Sequence, residues 1–407
     1  MSLRVFLLYF NFFGAHMTIR LLRVISSLDP KGGGPMEGIR QITPKLESLG
    51  VNTTVACLDP PESPWIKDFP CEVRAFGPAL SGYLYRKGFV RLLKALAHHN
   101  DIVIVHGLWQ YHAFAAWRAL HNGRVPYLVQ THGMLDPWFK KAYPLKHFKK
   151  CLYWPWADYR LLRDAKAVLF TCARERDLAR QSFSLYSANE QVIAYGTAGP
   201  TGDPVQLRRR FLALWPELQH RRILLFLGRI HPKKGVDLLI EAFAEIANRD
   251  PSLSLVVAGP DGVGWQKALE LLARDLGVAD RICWPGMLTG DDKWAAFYAA
   301  EIFCLPSHQE NFGIAVAEAL ACGLPVCISN QVNISSEVLN SGSGLVHSNT
   351  KLGTVAAFQQ WLNYDSYERQ VFGRNARALF EQSFEIGSAA RQLRLLIERL
   401  GVPSAEV

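Results

Sequence analysis

Short apolar runs recur along the whole chain, and they constrain its fold more than any other feature of the sequence. Each run holds about five or six residues, lies between turn residues, and is separated from the next run by a segment long enough for a helix. Strands of a parallel sheet are buried on both faces and are joined by helical crossovers, which gives this pattern. The sequence therefore predicts an α/β protein.

Eleven of these runs are predicted to be strands, six before residue 200 and five after it. They cover residues 21–26, 51–56, 101–106, 127–131, 167–171, 191–195, 223–227, 253–258, 281–284, 302–305 and 326–329. The stretch at 196–204 is rich in glycine and proline and has no apolar period, so it is the predicted linker between the two series.

A chain of 407 residues is also too long for one ordinary core. We therefore predict two Rossmann-like domains that face each other across a cleft, at residues 17–200 and 201–385. A helix in the segment 386–407, with its apolar residues between 393 and 400, could pack back on the N-terminal domain.

Residues 1–16 are interpreted as an upstream extension, with Met17 opening the folded domain. Residues 5–15 follow Arg4 and resemble the apolar part of a short signal peptide, which is the alternative, but no small-x-small cleavage site follows them. No run reaches the roughly 18 to 20 apolar residues of a spanning helix, so any membrane contact is predicted to be peripheral.

The cysteines and the net charge narrow the class of protein. None of the eight cysteines forms a C-x-x-C pair and several lie in apolar runs, so they are predicted to be reduced core thiols of a cytoplasmic protein. The net charge of +9 favours an anionic partner, which could be a nucleotide, a membrane surface or nucleic acid. Residues 140–163 interleave basic and aromatic side chains, as at an anionic membrane interface, although a solvated basic face over core aromatics fits equally well.

Ligands of parallel sheets bind beyond the carboxyl ends of the strands, so the loops that follow the strands are the first places to examine. After residues 223–227 come Gly228 and Arg229, and then Lys234 just before a predicted helix. Two cations near a helix N-terminus suit a diphosphate, and a glycine lets backbone approach it. A basic surface turn without a ligand is the alternative.

A second loop of this kind follows residues 302–305. Glu310 lies in the loop, and Glu318 lies about one turn inside a helix predicted at 314–321. This spacing lets one carboxylate reach a sugar and the other a ribose, while the helix amides hold phosphate. The same spacing also fits the two catalytic carboxylates of a glycosidase. It fits equally an acidic residue at a helix start together with a carboxylate on a solvated helix face.

Three segments taken together resemble the C-terminal domain of retaining glycosyltransferase family 4, the group 1 glycosyltransferases, which have the GT-B fold. They are GRIHPKKG at 228–235, AGPDG at 258–262 and HQENFGIAVAEALACGLPV at 308–326, in family order and at family spacing. The resemblance implies a metal-independent hexosyltransferase that needs no cofactor. Its substrates would be a nucleotide-sugar donor and a glycan or lipid-linked acceptor in surface polysaccharide biosynthesis, on the cytoplasmic side of a membrane.

The resemblance also implies roles for individual residues. Arg229 and Lys234 would bind the donor diphosphate, and Glu310 would bind hydroxyls of the donor sugar. Glu318 would hold the ribose, and His132 would lie near the transferred sugar. The other expected donor-binding residues are Gly33, Gly34, Gly228, Asp261, Asn311, Phe312, Gly313 and Ile314.

The N-terminal half matches the family less sharply. Residues 29–37 resemble its glycine-rich loop, although a glycine turn without a ligand is the alternative. His106 and His132 each end a predicted strand, and a buried structural histidine is the alternative for both. Residues 194–197 depart from the family, because they lack the Asn-Gly turn expected there, and this puts any role of that Asn in doubt.

Rival functions are distinguished by motifs and by assay. No Asp-x-Asp occurs in the sequence, which disfavours the metal-dependent transferase fold, and no G-x-G-x-x-G opens a helix, which disfavours an NAD-dependent oxidoreductase. A sugar-nucleotide epimerase or a phosphorylase can share the two-domain fold. Nucleic acid is not an expected partner, although a nucleic-acid-binding protein could use residues 140–163.

Overall fold

The computed structural model describes residues 18–401, which divide into two compact units. The first unit holds residues up to 170, residues 176–193 and residues from 389 onward, and the second holds residues 171–175 and 194–388. No helix among the described residues is both long enough and apolar enough to cross a membrane. The predictions for residues 1–17, including Met17 as the opening of the folded domain, and for residues 402–407 lie outside the described chain.

The first unit is built on a seven-stranded parallel sheet. Its strands are β1 (Ile19–Val24), β2 (Val51–Cys57), β3 (Glu72–Ala75), β4 (Ile102–His106), β5 (Tyr127–Gln130), β6 (Ala167–Phe170) and β7 (Glu190–Val192), in the order β3-β2-β1-β4-β5-β6-β7. The helices up to residue 179 are α1 (Gly34–Ser48), α2 (Pro64–Lys67), α3 (Phe89–Ala97), α4 (Tyr111–Leu120), α5 (Trp138–Ala142), α6 (Pro144–Tyr153), α7 (Asp158–Asp164) and α8 (Ala173–Ala179).

The second unit is built on a six-stranded parallel sheet. Its strands are β8 (Arg222–Leu227), β9 (Leu253–Ala258), β10 (Ile282–Gly286), β11 (Ile302–Leu305), β12 (Val326–Ser329) and β13 (Gly344–His347), in the order β10-β9-β8-β11-β12-β13. The helices from residue 204 onward are α9 (Pro204–Leu214), α10 (Val236–Ala247), α11 (Gln266–Asp275), α12 (Gly290–Ala299), α13 (Ile314–Ala321), α14 (Ser335–Ser341), α15 (Lys351–Asn363), α16 (Ser366–Leu379) and α17 (Ile386–Arg399).

The prediction of an α/β fold with two Rossmann-like domains is confirmed, and all eleven predicted strands form. The sequence analysis missed β3 and β13, which lie at sheet edges. An edge strand pairs on one side only and needs less apolar sequence: β3 alternates exposed and half-buried residues, and β13 begins with a glycine. The strand predicted at 191–195 ends earlier, at Val192.

All eight cysteines are free thiols. Seven of them are buried or half-buried, as the sequence predicts. The prediction is wrong for Cys151, which is exposed on α6 because that side of the helix packs on nothing else in the described chain.

Each sheet has one point where the strand order reverses direction. These points lie between β1 and β4 in the first unit and between β8 and β11 in the second. The loops that leave two such strands run to opposite sides, and the gap that this opens at the carboxyl ends is where α/β sheets bind ligands. Both loops of the second unit that the sequence selected, 228–235 and 306–313, lie at this point.

The C-terminal helix α17 closes one face of the first sheet. It spans Ile386–Arg399, within the segment 386–407 in which the sequence predicts a helix. Its buried residues Ala390, Leu393 and Ile397 pack in one cluster with Ile19 of β1 and with other sheet residues. The chain thus returns to the first unit after completing the second.

This packing predicts that α17 contributes strongly to the stability of the first unit. Ile397→Ala should lower the free energy of unfolding by about 2–5 kcal/mol, because a buried side chain is lost and a cavity remains. Leu395→Ala on the exposed side of the same helix should change it by less than about 0.5 kcal/mol. Urea unfolding of both variants measures the difference, and equal effects would show that α17 does not pack as described.

Candidate functional site

The loop after β8 is shaped to meet the loop after β11. The ring of His231 accepts a hydrogen bond at Nδ1 from the amide of Lys233, at 3.0 Å, and caps a short 3-10 turn. Gly235 follows with φ of +68°, and a Cβ atom there would lie 2.4 Å from the carbonyl oxygen of Pro306. Only glycine allows this approach, which brings the start of α10 beside the end of β11.

Hydrogen bonds then fix the two loops to each other. The hydroxyl of Ser307 and the amide of His308 both donate to the carbonyl oxygen of Lys233, at 2.9 and 2.8 Å. The amide of Glu310 donates to the carbonyl oxygen of Gln331, at 3.1 Å, in the loop after β12. The backbone of the candidate site is therefore held by its neighbours on both sides.

Lys234 and Glu310 form an ion pair at the centre of this region. Their side chains are 17% and 16% exposed, so a ligand can reach both groups. Burial lowers the pKa of Lys234 to about 7, and the positive charges of Lys233 and Arg229 add to the shift. Arg229 is exposed and has no hydrogen bond or ion pair within residues 18–401. Two cations therefore stand where an anionic ligand would bind.

Gly313 places Glu310 beside the start of α13. Its φ is +76°, and a Cβ atom there would lie 3.1 Å from Cγ2 of Val316 and 3.3 Å from Cγ of Glu310. A side chain at this position would therefore be strained and would push on the carboxylate. The glycine allows α13 to begin at Ile314 directly under the loop.

The neighbouring residues Asn311 and Phe312 differ in what they can offer to a ligand. The side-chain oxygen of Asn311 accepts a hydrogen bond from Asn333, at 3.2 Å. Phe312 is buried and packs edge-on against Tyr195 and Phe384, with ring centroids 5.4 Å apart in both cases. Phe312 can therefore meet a ligand only through its backbone. Tyr195, in the segment that departs from the family, packs against the Phe312 ring of this loop.

Glu318 lies inside α13 and is nearly buried. Its carboxylate accepts a hydrogen bond from Nζ of Lys293, at 2.6 Å, and that ammonium also lies 4.4 Å from the ring centroid of Trp294. Sequence analysis missed Lys293, because it is on α12 and no local pattern pairs it with Glu318. No cluster of three or more metal-ligating side chains occurs among residues 18–401.

Gly259 and Asp261 hold the loop after β9. A Cβ atom at Gly259 would lie 1.8 Å from the carbonyl oxygen of Gly228, so the β8 and β9 loops touch there. The Asp261 carboxylate accepts hydrogen bonds from the amides of Gln266 and Trp265, both at 2.9 Å, and these lower its pKa. Asp261 thus caps the start of α11. The expected contact between Asp261 and a donor stays a prediction.

In the first unit the glycine loop precedes α1, next to the reversal point between β1 and β4. Gly33 has φ of +82°, and no atom lies within 4 Å of a Cβ placed there. Gly34 is the first residue of α1. The loop therefore leaves open space at a helix N-terminus, where a ligand could approach the backbone.

A buried hydrogen-bonded series links Arg23 of β1 to the two histidines selected from the sequence. Nη1 of Arg23 lies 3.0 Å from Nε2 of His106, and Nδ1 of His106 lies 3.0 Å from Nε2 of His132. Burial, Arg23 and the neighbouring histidines lower the pKa of His106, and burial and Arg23 lower that of His132 to about 3. Both rings are therefore neutral at physiological pH.

The series fixes the tautomer of each ring. Because the guanidinium of Arg23 can only donate, His106 accepts at Nε2 and carries its proton on Nδ1. That proton is donated to His132, which accepts at Nε2 and so carries its own proton on Nδ1. His132 also has φ of +51°, an uncommon value for a residue other than glycine, and such backbone strain concentrates at functional sites. Sequence analysis missed Arg23, because an arginine in a strand pattern predicts an exposed side chain.

Replacing Gly313 should disturb the site beyond the cost of its backbone conformation. Gly313→Ala and Gly277→Ala both place a side chain at positive φ, which costs about 1–2 kcal/mol of stability in each case. Only Gly313→Ala also crowds Val316 and Glu310, because no atom lies within 4 Å of a Cβ at Gly277. Chemical unfolding of both variants should show the larger loss for Gly313→Ala, and equal losses would contradict the crowding.

The tautomers can be read directly by ¹⁵N NMR of the histidine side chains. In the native protein His106 and His132 should both show the Nδ1-protonated form. Arg23→Met removes the donor that sets the series, so both resonances should shift toward a mixture of tautomers. Arg20→Met, on the exposed end of the same strand, should leave them unchanged. Unchanged tautomers in Arg23→Met would show that Arg23 does not set them.

Two family profiles together match most of the chain. The profile described as "Glycosyl transferases group 1" matches residues 215–379, and the one described as "Glycosyl transferase 4-like domain" matches residues 33–196. The first match lies in the second unit and the second match lies mostly in the first unit, with the predicted linker between them. The candidate loops at 228–235 and 306–313 lie within the first profile, and Gly33 and His132 lie within the second.

Curated relatives carry the names of glycosyltransferases. An alpha-D-kanosaminyltransferase of Streptomyces kanamyceticus is 28% identical over 68% of this chain and 72% of its own length. A D-inositol 3-phosphate glycosyltransferase of Gordonia bronchialis is 32% identical over 50% of this chain and 46% of its own length. A protein of the same name from Salinispora tropica is 38% identical over 34% of this chain. The chain thus spans less than half the length of these two inositol phosphate glycosyltransferases, with 46% and 30% covered.

Solved structures share the fold over nearly the whole chain. Sucrose-phosphate synthase of Thermosynechococcus elongatus superposes with a TM-score of 0.75 at 20% identity, covering 94% of this chain and 99% of that one. HepE of Anabaena in complex with UDP and glucose superposes with a TM-score of 0.74 at 18% identity, covering 93% and 99%. The predicted GT-B fold is confirmed.

Proposed function

This chain belongs to the group 1 glycosyl transferases, and from that premise we propose that it transfers a hexose from a nucleotide-diphosphate sugar to a hydroxyl group with retention of configuration. One observation carries the proposal. Arg229, Lys234 and Glu310 converge at the carboxyl ends of β8 and β11, where the strand order reverses. Cations and a carboxylate at such a point suit a diphosphate joined to a sugar.

In the proposed reaction the leaving diphosphate gathers negative charge as the glycosidic bond breaks. Arg229 and Lys234 stabilise that charge more in the transition state than in the ground state, and each contact of this kind is worth about 2–4 kcal/mol. Because the two side chains already supply positive charge, we propose that transfer needs no metal ion and no cofactor. The acceptor hydroxyl gives its proton to a diphosphate oxygen, so no protein base is required.

The two glutamates have binding roles in this scheme. Glu310 accepts hydrogen bonds from hydroxyls of the donor sugar, and Glu318 accepts them from the ribose, with Lys293 holding the second carboxylate in place. The backbone of residues 311–314 adds contacts to phosphate at the start of α13. The family resemblance assigns His132 to binding of the transferred sugar, and we propose that it acts in the tautomer that Arg23 sets.

The acceptor is proposed to be a glycan or a lipid-linked oligosaccharide, in surface polysaccharide biosynthesis. The support is the segment 140–163, whose basic and aromatic side chains suit the inner face of an anionic membrane. The protein would then be cytoplasmic and peripherally attached.

A thermal-shift panel of UDP-, GDP- and ADP-sugars tests the donor site. One nucleotide class should raise the apparent stability, by about 2.7 kcal/mol at a ligand concentration one hundred times Kd. Arg229→Met and Lys234→Met should lose most of this shift, because each removes a charge from the diphosphate site. Lys267→Met, which removes an exposed cation elsewhere in the same unit, should keep it. A chain that no nucleotide sugar stabilises would not have the proposed activity, and release of an epimer without transfer would identify an epimerase.

A further inference from the structure

Helix α6 carries an apolar stripe that faces away from the first unit. Leu145, Phe148 and Leu152 are 80%, 64% and 64% exposed. They follow one another at intervals of three and four residues, so they lie on one side of the helix. Large apolar side chains scattered singly on a surface are ordinary, but three in one row mark a surface that binds something.

The side of α6 that faces the protein is unusually polar. Nζ of Lys150 lies 4.2 Å from the ring centroid of Trp109, and the hydroxyl of Tyr153 hydrogen-bonds to that of Tyr83, at 2.8 Å. An ordinary surface helix turns its apolar side inward and its polar side to water. Because α6 does the reverse, its outer side is built for contact with an apolar phase.

Positive charge surrounds the stripe. Lys146 and Lys149 lie beside it on α6 and are exposed. Residues 138–163 contain seven basic side chains and one carboxylate, that of Asp158, which is buried. The basic residues are Lys140, Lys141, Lys146, Lys149, Lys150, Arg160 and Arg163. An occupant of this surface must therefore be apolar in its centre and negatively charged at its rim.

We propose that α6 docks on an anionic lipid bilayer, with Leu145, Phe148 and Leu152 at the boundary between headgroups and acyl chains and the lysines against lipid phosphates. A helix with an apolar row and a lysine-rich flank lies in the plane of such an interface. The inference deepens the proposed function by naming the helix and the side chains that would contact the membrane, and it rests on that function only for the nature of the acceptor.

Charge disfavours the other occupants. A second copy of the chain would bring the same cations to the contact, and like charges repel. The apolar segment 1–16 of this chain has Arg4 as its one charged side chain besides the terminus and so offers no negative group to the lysines. A bilayer with anionic lipids supplies both the apolar phase and the negative rim.

Docking would also orient the first unit. Lys150 joins the inner side of α6 to Trp109, which lies three residues beyond the end of β4. The carboxyl end of the first sheet, with His106 and His132, therefore lies on the same side as the docking helix. A lipid-linked acceptor would reach it from the membrane surface.

Vesicle flotation of the full chain tests the proposal. The probes are phosphatidylcholine vesicles with and without phosphatidylglycerol, at low and high salt. The native chain should float with the anionic vesicles at low salt and much less with the neutral ones. The triple variant Leu145→Glu, Phe148→Glu, Leu152→Glu should bind at least about tenfold more weakly, because it removes the apolar insertion.

The charge of the rim is tested by a second triple variant, Lys141→Gln, Lys146→Gln, Lys149→Gln. Each cation near an anionic surface contributes roughly fivefold in affinity, so the variant should lose on the order of a hundredfold for anionic vesicles. Leu352→Glu and Lys267→Gln remove an exposed leucine and an exposed lysine from the second unit and should bind as the native chain does.

Several results would overturn the proposal. Equal binding to neutral and anionic vesicles, or unchanged binding by both triple variants, would rule out docking through α6. Loss of binding on deletion of residues 1–16 would place the contact in that segment. Self-association that the apolar triple variant abolishes and the lysine triple variant does not, without vesicle binding, would identify a second copy as the occupant. Because the donor thermal shift should survive in both triple variants, failure here leaves the proposed transfer reaction standing.

Discussion

The candidate site depends on the contact between the loop after β8 and the loop after β11. The strand order places these two strands side by side although 74 residues separate Lys233 from Ser307. Gly235 allows the close approach, and the carbonyl oxygen of Lys233 receives hydrogen bonds from Ser307 and His308 of the other loop. With the loops fixed in this way, Lys234 meets Glu310 and the second cation stands beside them. A change that separated the loops would separate Glu310 from Lys234 and Arg229.

The surroundings of the two glutamates indicate what they do. Glu310 is paired with Lys234, and Glu318 with Lys293. A general acid must hold a proton at working pH, and enzymes achieve this by placing the carboxyl group in an apolar pocket or beside another carboxylate. Neither glutamate has such surroundings, since each is hydrogen-bonded to an ammonium group. Their spacing along the sequence allowed a glycosidase pair, and the two ion pairs disfavour one.

The sequence predicts those parts of the fold that local apolar patterns encode. Buried strands such as β8 and β9 are continuous apolar runs, and α13 begins and ends where its sequence predicts. Edge strands β3 and β13 are missed because one neighbour is enough to hold them. Arg229, Lys234 and Glu310 could be selected from the sequence because they follow predicted strands, and ligands of parallel sheets bind at the carboxyl ends of strands.

Pairs of side chains that are distant in sequence could not be predicted. Lys293 on α12 meets Glu318 on α13 although 25 residues separate them, and Arg23 meets His106 because β1 pairs with β4. The inverted polarity of α6 was equally hidden, since its sequence has the period of an ordinary amphipathic helix and does not tell which side faces the protein. The basic and aromatic composition of 140–163 is visible in the sequence, but the exposed stripe is a property of the packing.

The most direct test asks whether Glu310 binds the sugar part of the donor or its nucleotide part. Isothermal titration calorimetry would compare a nucleoside diphosphate with the matching nucleotide sugar, for the native chain and for Glu310→Gln. If Glu310 binds the donor sugar, the variant should lose about 1.5–3 kcal/mol in affinity for the nucleotide sugar and almost nothing for the nucleoside diphosphate, because a hydrogen bond to a charged group is lost only in the first case. Equal losses for both ligands would contradict the account, since Glu310 would then serve only to hold Lys234 in place.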